Sequence, residues 1–358
     1  MPNTLDIFSS YTMLATLELV KPETLFFSSR YFPTGAGDIF NSDKVLVEYT
    51  KGDRKMAPFV SERIGAVPVE RRGYEIREFA PAHIGVSRTL TLDDLKKRGF
   101  GEALYSNTKP AERALRMQLE DMTDLNKRIS RREEWMSVQT MINNACPVQE
   151  MFDAKTVGEE KLVQFFGSES SEHIYTVANM WNSKDGNITG DVYVMCEQLA
   201  GRGLNAVDLV IGSDVADVFY DDPVIARMID KNSGINFGMI NEQIVYPGVS
   251  QIGPLNFRGH WLTIYVVSTS YEDENGVTRP YFPKNSAMVT YPNCGHKMYG
   301  RITQMPYGSI DYKTIAAKRV PKLIVDNAND TRALSLKTRP LTAPRTYCPY
   351  IYAANVVG

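Results

Sequence analysis

Cys294-Gly295-His296 is the one place in the sequence where a thiol and an imidazole come close together. A nucleophilic cysteine needs its base within hydrogen-bonding reach and a third group to orient that base. Adjacency across a glycine, read as a turn, supplies neither, so a packed cysteine beside a surface histidine competes with a catalytic dyad. His83, His173 and His260 stand singly, and no pair has the spacing that would put two metal ligands on one helix face. Cys146, Cys196, Cys294 and Cys348 are too dispersed for a disulfide framework or for paired zinc ligands, and are expected to be reduced, mostly buried thiols. Gly35-Ala36-Gly37, Gly99-Phe100-Gly101 and Gly201-Arg202-Gly203 lack the third glycine of a dinucleotide loop and the Gly-Lys-Ser/Thr of a phosphate loop, and read as turns. Asp273-Glu274-Asn275-Gly276 lacks the spaced carboxylates of a calcium loop; its Asn-Gly pair predicts a hairpin connection. No catalytic, cofactor or metal site is expected.

The elements that would position such groups are more informative. Leu115, Leu119, Met122, Leu125, Ile129 and Met136 recur at steps of three, four and seven, and Trp135, Val138, Ile142 and Ala145 carry the stripe onward. This spacing predicts one amphipathic helix over 110–144, opened by Pro110 and stopped by Asn143, Asn144 and Pro147. Six acidic and six basic residues between Glu112 and Glu134 are expected on its other faces. At 1.5 Å per residue the element is about 50 Å long, roughly the diameter of a globule of this chain length. A coiled-coil dimer is the alternative, but the apolar seam breaks at Arg131 to Glu134.

Ahead of the helix, residues 43–92 hold 16 charged residues in 50, nine basic and seven acidic. Strand-like pieces at Val45 to Tyr49, Met56 to Val60 and Tyr74 to Phe79 are separated by Lys51-Gly52-Asp53 and Arg72-Gly73. A two-stranded ribbon of this kind is marginal in water without a surface to lie on. Spacing alone leaves two readings open: a hairpin folded onto its own domain, or an arm laid on a neighbouring molecule. In the second, Lys51, Arg54, Lys55, Arg71, Arg72, Arg77 and Phe79 are the candidate intersubunit contacts, the cations being interleaved with Asp53, Glu62, Glu70, Glu75 and Glu78. Residues 1–42, with Pro22, Pro33, Gly35 and Gly37, read as a lead-in that lies over something rather than packing as a unit.

After the helix, 148–170 reads as extended and polar, and His173 to Trp181 and Asp191 to Ala200 as helical. Asp208 to Gly212 reads as a buried strand, followed by helix to Ile229 with a break at Pro223. Trp261 to Ser268 and Ala287 to Thr290 read as strands on either side of the Asp273 turn, and Leu336 to Val357 as a strand region punctuated by proline. The fold class is mixed α+β.

With 358 residues and 43% hydrophobic content the chain can bury a substantial core. Its 40 basic and 42 acidic residues nearly cancel to −2, which argues against dedicated nucleic-acid or membrane-surface binding. The start MPNTLDIFSSYTML lacks the pattern of a secretory signal, and no apolar run reaches about 20 residues, so a soluble protein made in a cytoplasm is expected. Without a secretion route the Asn187-Ile188-Thr189 and Asn329-Asp330-Thr331 triplets carry no glycosylation argument.

Taken in order, lead-in, charged arm, long helix and mixed domain resemble the major capsid proteins of tailed bacteriophages, and the local sequence resembles the lambda-type branch, the phage capsid protein E family. The likeness lies in Ala57-Pro58-Phe59-Val60, in Glu78 through Ile84 leading to Leu92 and Asp94, in the helix after Gly101-Glu102, in Asp208 to Gly212, in Tyr271 to Pro283 and in Arg339-Pro340-Leu341. The resemblance implies a Hong Kong 97-type capsid fold with an amino-terminal arm (1–42), an extended β loop (43–92), a peripheral domain with the spine helix (93–170), an axial domain (171–300), a return to the peripheral domain (301–335) and carboxy-terminal strands of the axial domain (336–358). It implies a structural head protein without catalytic residues or cofactors, assembled in the host cytoplasm into an icosahedral virion capsid. The implied partners are copies of itself as pentamers and hexamers, scaffolding, portal and decoration proteins, and packaged DNA contacted nonspecifically, with no membrane. The lysine and asparagine that some members of the wider fold join covalently are not matched here. An encapsulin-like compartment shell and a soluble enzyme using Cys294 are the competing classes.

Overall fold

The computed structural model describes residues 13, 23, 25–49, 75–91, 93–94, 110–151, 157–166, 171–233, 243–307, 310–326, 328 and 331–358. The long helix runs over Pro110–Asn143. It stops where the periodicity predicted, and the stop is enforced by tertiary contacts. Asn144 turns into the left-handed region at φ 53, as residues just past a helix end commonly do. Its buried amide donates to Cys348 Sγ (3.3 Å) and accepts from the Tyr350 hydroxyl (2.6 Å). The chain then folds back as an antiparallel hairpin, Ala145–Met151 with Val157–Gln164, which begins at Ala145, expected on the helix stripe, and continues into the stretch 148–170 expected to be extended.

The first half of the helix lies on a three-stranded antiparallel sheet ordered Val320–Asp326, Thr331–Thr338, Ile84–Leu90. Met122, Leu125 and Ile129 pack there against Leu323, Leu334 and Leu336. Ile84–Leu90 alternates half-buried and exposed residues, the period-two pattern of a strand with one covered face. This segment was expected within the extended loop, yet it pairs across its whole length with Thr331–Thr338.

A seven-stranded mixed sheet forms the larger layer, in the order Ile174–Tyr175, Ile351–Ala353, Ala287–Thr290, Asp208–Gly212, His260–Val267, Val249–Phe257, Gln243–Tyr246. Asp208–Gly212 is central and buried at all five positions, which accounts for its unbroken apolar run. Helices Ile188–Gly201, Ser213–Asp221 and Pro223–Ser233 cover one face through Val192, Leu199, Val215, Phe219 and Ile225. Helix was expected over His173 to Trp181, but Ile174–Tyr175 instead adds a parallel edge strand beside Tyr352 and Ala353. Tyr175 and Trp181 both donate to Asp191 (2.7 and 2.8 Å), so these polar aromatic tips are fixed by the next helix rather than by helical neighbours.

The other face of the large sheet is covered by the second half of the long helix and by the lead-in. Phe26, Phe27, Tyr31 and Phe32 are all at most 2% exposed. They pack with Val138, Met141, Val210, Tyr265, Phe282 and Tyr350 in one aromatic cluster. The lead-in was expected to lie over the molecule; at Phe26–Arg30 it is instead a short helix inside the core. Near the predicted Asn275-Gly276 turn, a small hairpin pairs Ser270–Glu272 with Thr278–Pro280. Asp273 accepts from the amides of Asn275 and Val277, and Gly276 takes φ +77, a conformation that favours glycine.

Candidate assembly site

The root of the charged arm is an antiparallel pair, Val45–Tyr49 with Glu75–Phe79, in the register Val45↔Phe79 to Tyr49↔Glu75. Val45 and Val47 point into the body and are fully buried, while Leu46 between them is 46% exposed. Their pocket is formed by Phe165, Phe166, Met298, Leu341 and Cys348. Each buried valine contributes about 1.5–3 kcal/mol relative to exposure. The flanking ion pairs, Asp43 with Arg301 (3.0 Å) and Arg339 (3.2 Å), and Lys44 with Glu78 (2.9 Å), are exposed and individually weak. The root is therefore held by its apolar face. Both chain directions leave it at the Tyr49 and Glu75 end, with residues 50–74 between them.

Of the candidate contacts, Lys51, Arg54, Lys55, Arg71 and Arg72 lie outside the described residues, as does the expected strand Met56 to Val60. Arg77 is half-buried in the root strand opposite Val47. Phe79 stands with its ring centroid 5.4 Å from that of Phe165 and packs on its own chain, anchoring the root.

The densest electrostatics were not singled out in the sequence. Glu133 and Glu134, expected on an exposed face, are 2% and 3% exposed. Glu133 stands four residues beyond Ile129, on the apolar stripe itself, and that coincidence was the available signal. Its carboxylate accepts from Lys297 (3.0 Å), Arg319 (2.6 Å) and the Tyr299 hydroxyl (3.1 Å). Burial alone would raise its pKa, but Lys297 and Arg319 outweigh it and hold the group at about 2. Burial likewise opposes the charges on Lys297 and Arg319, yet Glu133 keeps both above their ordinary values. Glu134 points the other way and accepts from the amides of Phe27 and Ser28, both at 2.7 Å. The Phe26–Arg30 helix has no side-chain cap of its own, so the long helix supplies one to its unpaired first-turn donors. Burial raises the Glu134 carboxyl above its ordinary value although these amides pull it down.

Cys294 is fully buried, with its thiol pushed up to about 12 by burial. It therefore holds its proton at neutral pH. His296 Nδ1 lies 3.2 Å from Asp38, and burial lowers the ring's pKa. Gly295, expected in a turn, opens the strand Gly295–Tyr299 instead. A Cβ there would collide with the Phe32 ring, so glycine is what allows the lead-in to pack against this strand. His173 Nε2 lies 2.8 Å from the Ile142 carbonyl, and His260 Nε2 lies 3.1 Å from Glu197. All four cysteines are buried and none is in a disulfide. Among the described residues, no group of three or more His, Cys, Asp or Glu side chains could hold a metal ion, and no helix is long and apolar enough to cross a membrane.

The described elements form a mixed sheet with a helical face and a long helix joining it to a smaller sheet. The fold is similar to that of a solved prophage capsid protein of Escherichia coli CFT073, with a TM-score of 0.66 over 96% of this chain and 98% of that one at 12% identity. It is also similar to the capsid of Ralstonia phage GP4, with a TM-score of 0.52 over 93% and 91% of the two chains at 9% identity. In sequence, the chain is 22% identical over 294 residues to the major capsid protein of Enterobacteria phage P21, covering 79% of this chain and 80% of that protein. The phage major capsid protein E family matches residues 9–351, and the chain belongs to that family. It is a structural protein of a phage head, located in the virion capsid.

Proposed function

We propose that this chain self-assembles through rings of five and six copies into the closed icosahedral shell that encloses phage DNA, with the segment 50–74 reaching from its root onto a neighbouring copy. The observation that carries the reading is the family match over residues 9–351, joined to a root whose two strands run out side by side at Tyr49 and Glu75. In this reading the long helix and three-stranded sheet make the peripheral domain of a Hong Kong 97-type subunit, and the seven-stranded sheet makes the axial domain. Residues 43–49 and 75–79 root the extended loop, and 1–42 form the amino-terminal arm. Head-to-tail contacts between copies close into rings when the rotation permits. The near-cancelling charge suits a wall that contacts packaged DNA nonspecifically. Scaffolding, portal and decoration proteins are the remaining partners, and assembly takes place in the host cytoplasm.

The subunit performs no catalysis in this reading. A buried thiol that keeps its proton, and a histidine engaged by Asp38, leave the Cys294 enzyme without a nucleophile. An encapsulin-like shell is the weaker alternative, because the matching family is one of phage capsid proteins. Light scattering and negative-stain electron microscopy of the purified chain test the proposal. Closed shells, or pentamers and hexamers, are expected. A monodisperse monomer at high concentration, even with a scaffolding partner supplied, would contradict it.

A further inference from the structure

The lead-in touches the long helix at three levels, all in the same direction. Met13 is 2% exposed among Met122, Leu125 and Ile129, and Gln118 Nε2 lies 3.7 Å from its sulfur. Glu23 pairs with Arg131 at 3.5 Å. Phe27 and Ser28 donate to Glu134. From Gln118 to Glu134 is about 24 Å along the helix axis. At its far end the same segment grips the large sheet: Arg30 makes a two-point contact with Asp208 (2.7 and 2.8 Å), whose side chain is wholly buried, and its guanidinium lies 4.8 Å from the Tyr265 ring centroid.

We propose that the lead-in is a strap that fixes the long helix and its three-stranded sheet at a set angle to the seven-stranded sheet, with Glu134 as its latch. The three-stranded sheet holds the helix at Met122 to Ile129, and the aromatic cluster holds the other half. Met13, Glu23 and Phe26–Arg30 bridge the two zones on a single run of chain. Two buried carboxylates, Glu134 and Asp208, bracket the short helix at its first turn and its last residue. Among the described residues, the hydrogen bonds of both carboxylates go to the lead-in, from different layers: Glu134 from the long helix, Asp208 from the central strand. Contacts of this kind at Met13, Glu23 and Phe26–Arg30 would determine the angle at which each copy presents its two sheets to its neighbours.

The test uses the full chain as an unassembled subunit, with Glu134→Ala, and hydrogen exchange as the first readout. The amides of Phe27 to Arg30 should exchange at least tenfold faster, while those of Leu209 to Ile211 in the central strand keep their protection. Unchanged strap amides would overturn the latch. Equal acceleration in strap and strand would overturn the strap as a separable element. The second readout is the distance between spin labels on Leu119→Cys and Val224→Cys, both exposed positions on the two layers, the native cysteines being buried. Glu134→Ala should broaden that distribution, and an unchanged distribution would overturn the angle-setting role. If Glu134→Ala fails to fold, Glu134→Gln, which retains volume and one acceptor, should fold and show the same changes to a lesser extent. A Glu134→Gln chain that also fails to fold would overturn the proposal by placing Glu134 in the global core.

Discussion

The two halves of the long helix share one amphipathic pattern but live in different surroundings. Between Leu115 and Ile129 a single face is covered, by the three-stranded sheet and Met13 of the lead-in, and Leu119 is 45% exposed although it lies on the predicted stripe. Between Glu133 and Met141 the helix is enclosed, and even Glu133, Glu134, Ser137 and Thr140 are buried. One half is a strut and the other is core. Apolar spacing identifies the helix but does not say how many of its faces will be covered, because that depends on chain segments far away in sequence.

The largest effect that would break this comparison is at Glu133. Glu133→Gln leaves Lys297 and Arg319 buried without their carboxylate, and removing one partner of a buried pair typically costs about 3–5 kcal/mol. Urea unfolding of the variant should show this loss; a change below about 1 kcal/mol would mean that the cluster is hydrated. Ile129→Ala follows, at about 2–5 kcal/mol for truncating a buried aliphatic side chain. Leu119→Ala, from the sequence pattern an equally damaging change, is now expected to fall within about 1 kcal/mol, because the side chain is already half in water. Equal losses at Ile129 and Leu119 would erase the distinction between covered and open positions in the strut. Glu120→Gln, on the exposed face, should be smallest, within about 0.5 kcal/mol.

The adjacent carboxylates sharpen the comparison through pH. Glu133 is depressed from 4.5 to about 2, so its contribution is fully present above pH 4.5 and is lost as pH falls toward 2. Glu134 is raised, so the folded state holds its proton more tightly, and its contribution has the opposite sign: favourable below 4.5 and fading as pH rises through its folded value. The stability gap between the unmodified chain and Glu133→Gln should therefore narrow between pH 5 and pH 2, measured by urea unfolding across that range. A gap that does not change with pH would show that Glu133 is not ionised in the fold.

Much of the frame was legible because it is local. Periodicity located the long helix, an unbroken apolar run located Asp208–Gly212, and an Asn-Gly pair located the hairpin turn. What stayed hidden depends on partners remote in sequence. Glu134 meets Phe27 and Ser28 more than a hundred residues away, Arg319 meets Glu133 across a similar gap, and Ile84–Leu90 finds its partner at Thr331–Thr338. The paired aromatics Phe26-Phe27 and Tyr31-Phe32 were a visible hint that the lead-in belongs to the core. For the arm, the sequence marked the strands of the root, but Val45, Leu46 and Val47 are all apolar, so which side faces the body shows only in their burial.

The central claim is that residues 50–74 act between copies while their root belongs to the subunit. Because Tyr49 and Glu75 are paired neighbours in the root, deleting Gly52 to Gly73 and joining the ends with a short flexible linker leaves the root strands able to pair. The measurement is sedimentation of this deleted chain beside the full chain under conditions in which the full chain closes shells, with circular dichroism as the check on folding. The account predicts a folded subunit that sediments as small species and closes no shells, and normal shells from the deleted chain would contradict it.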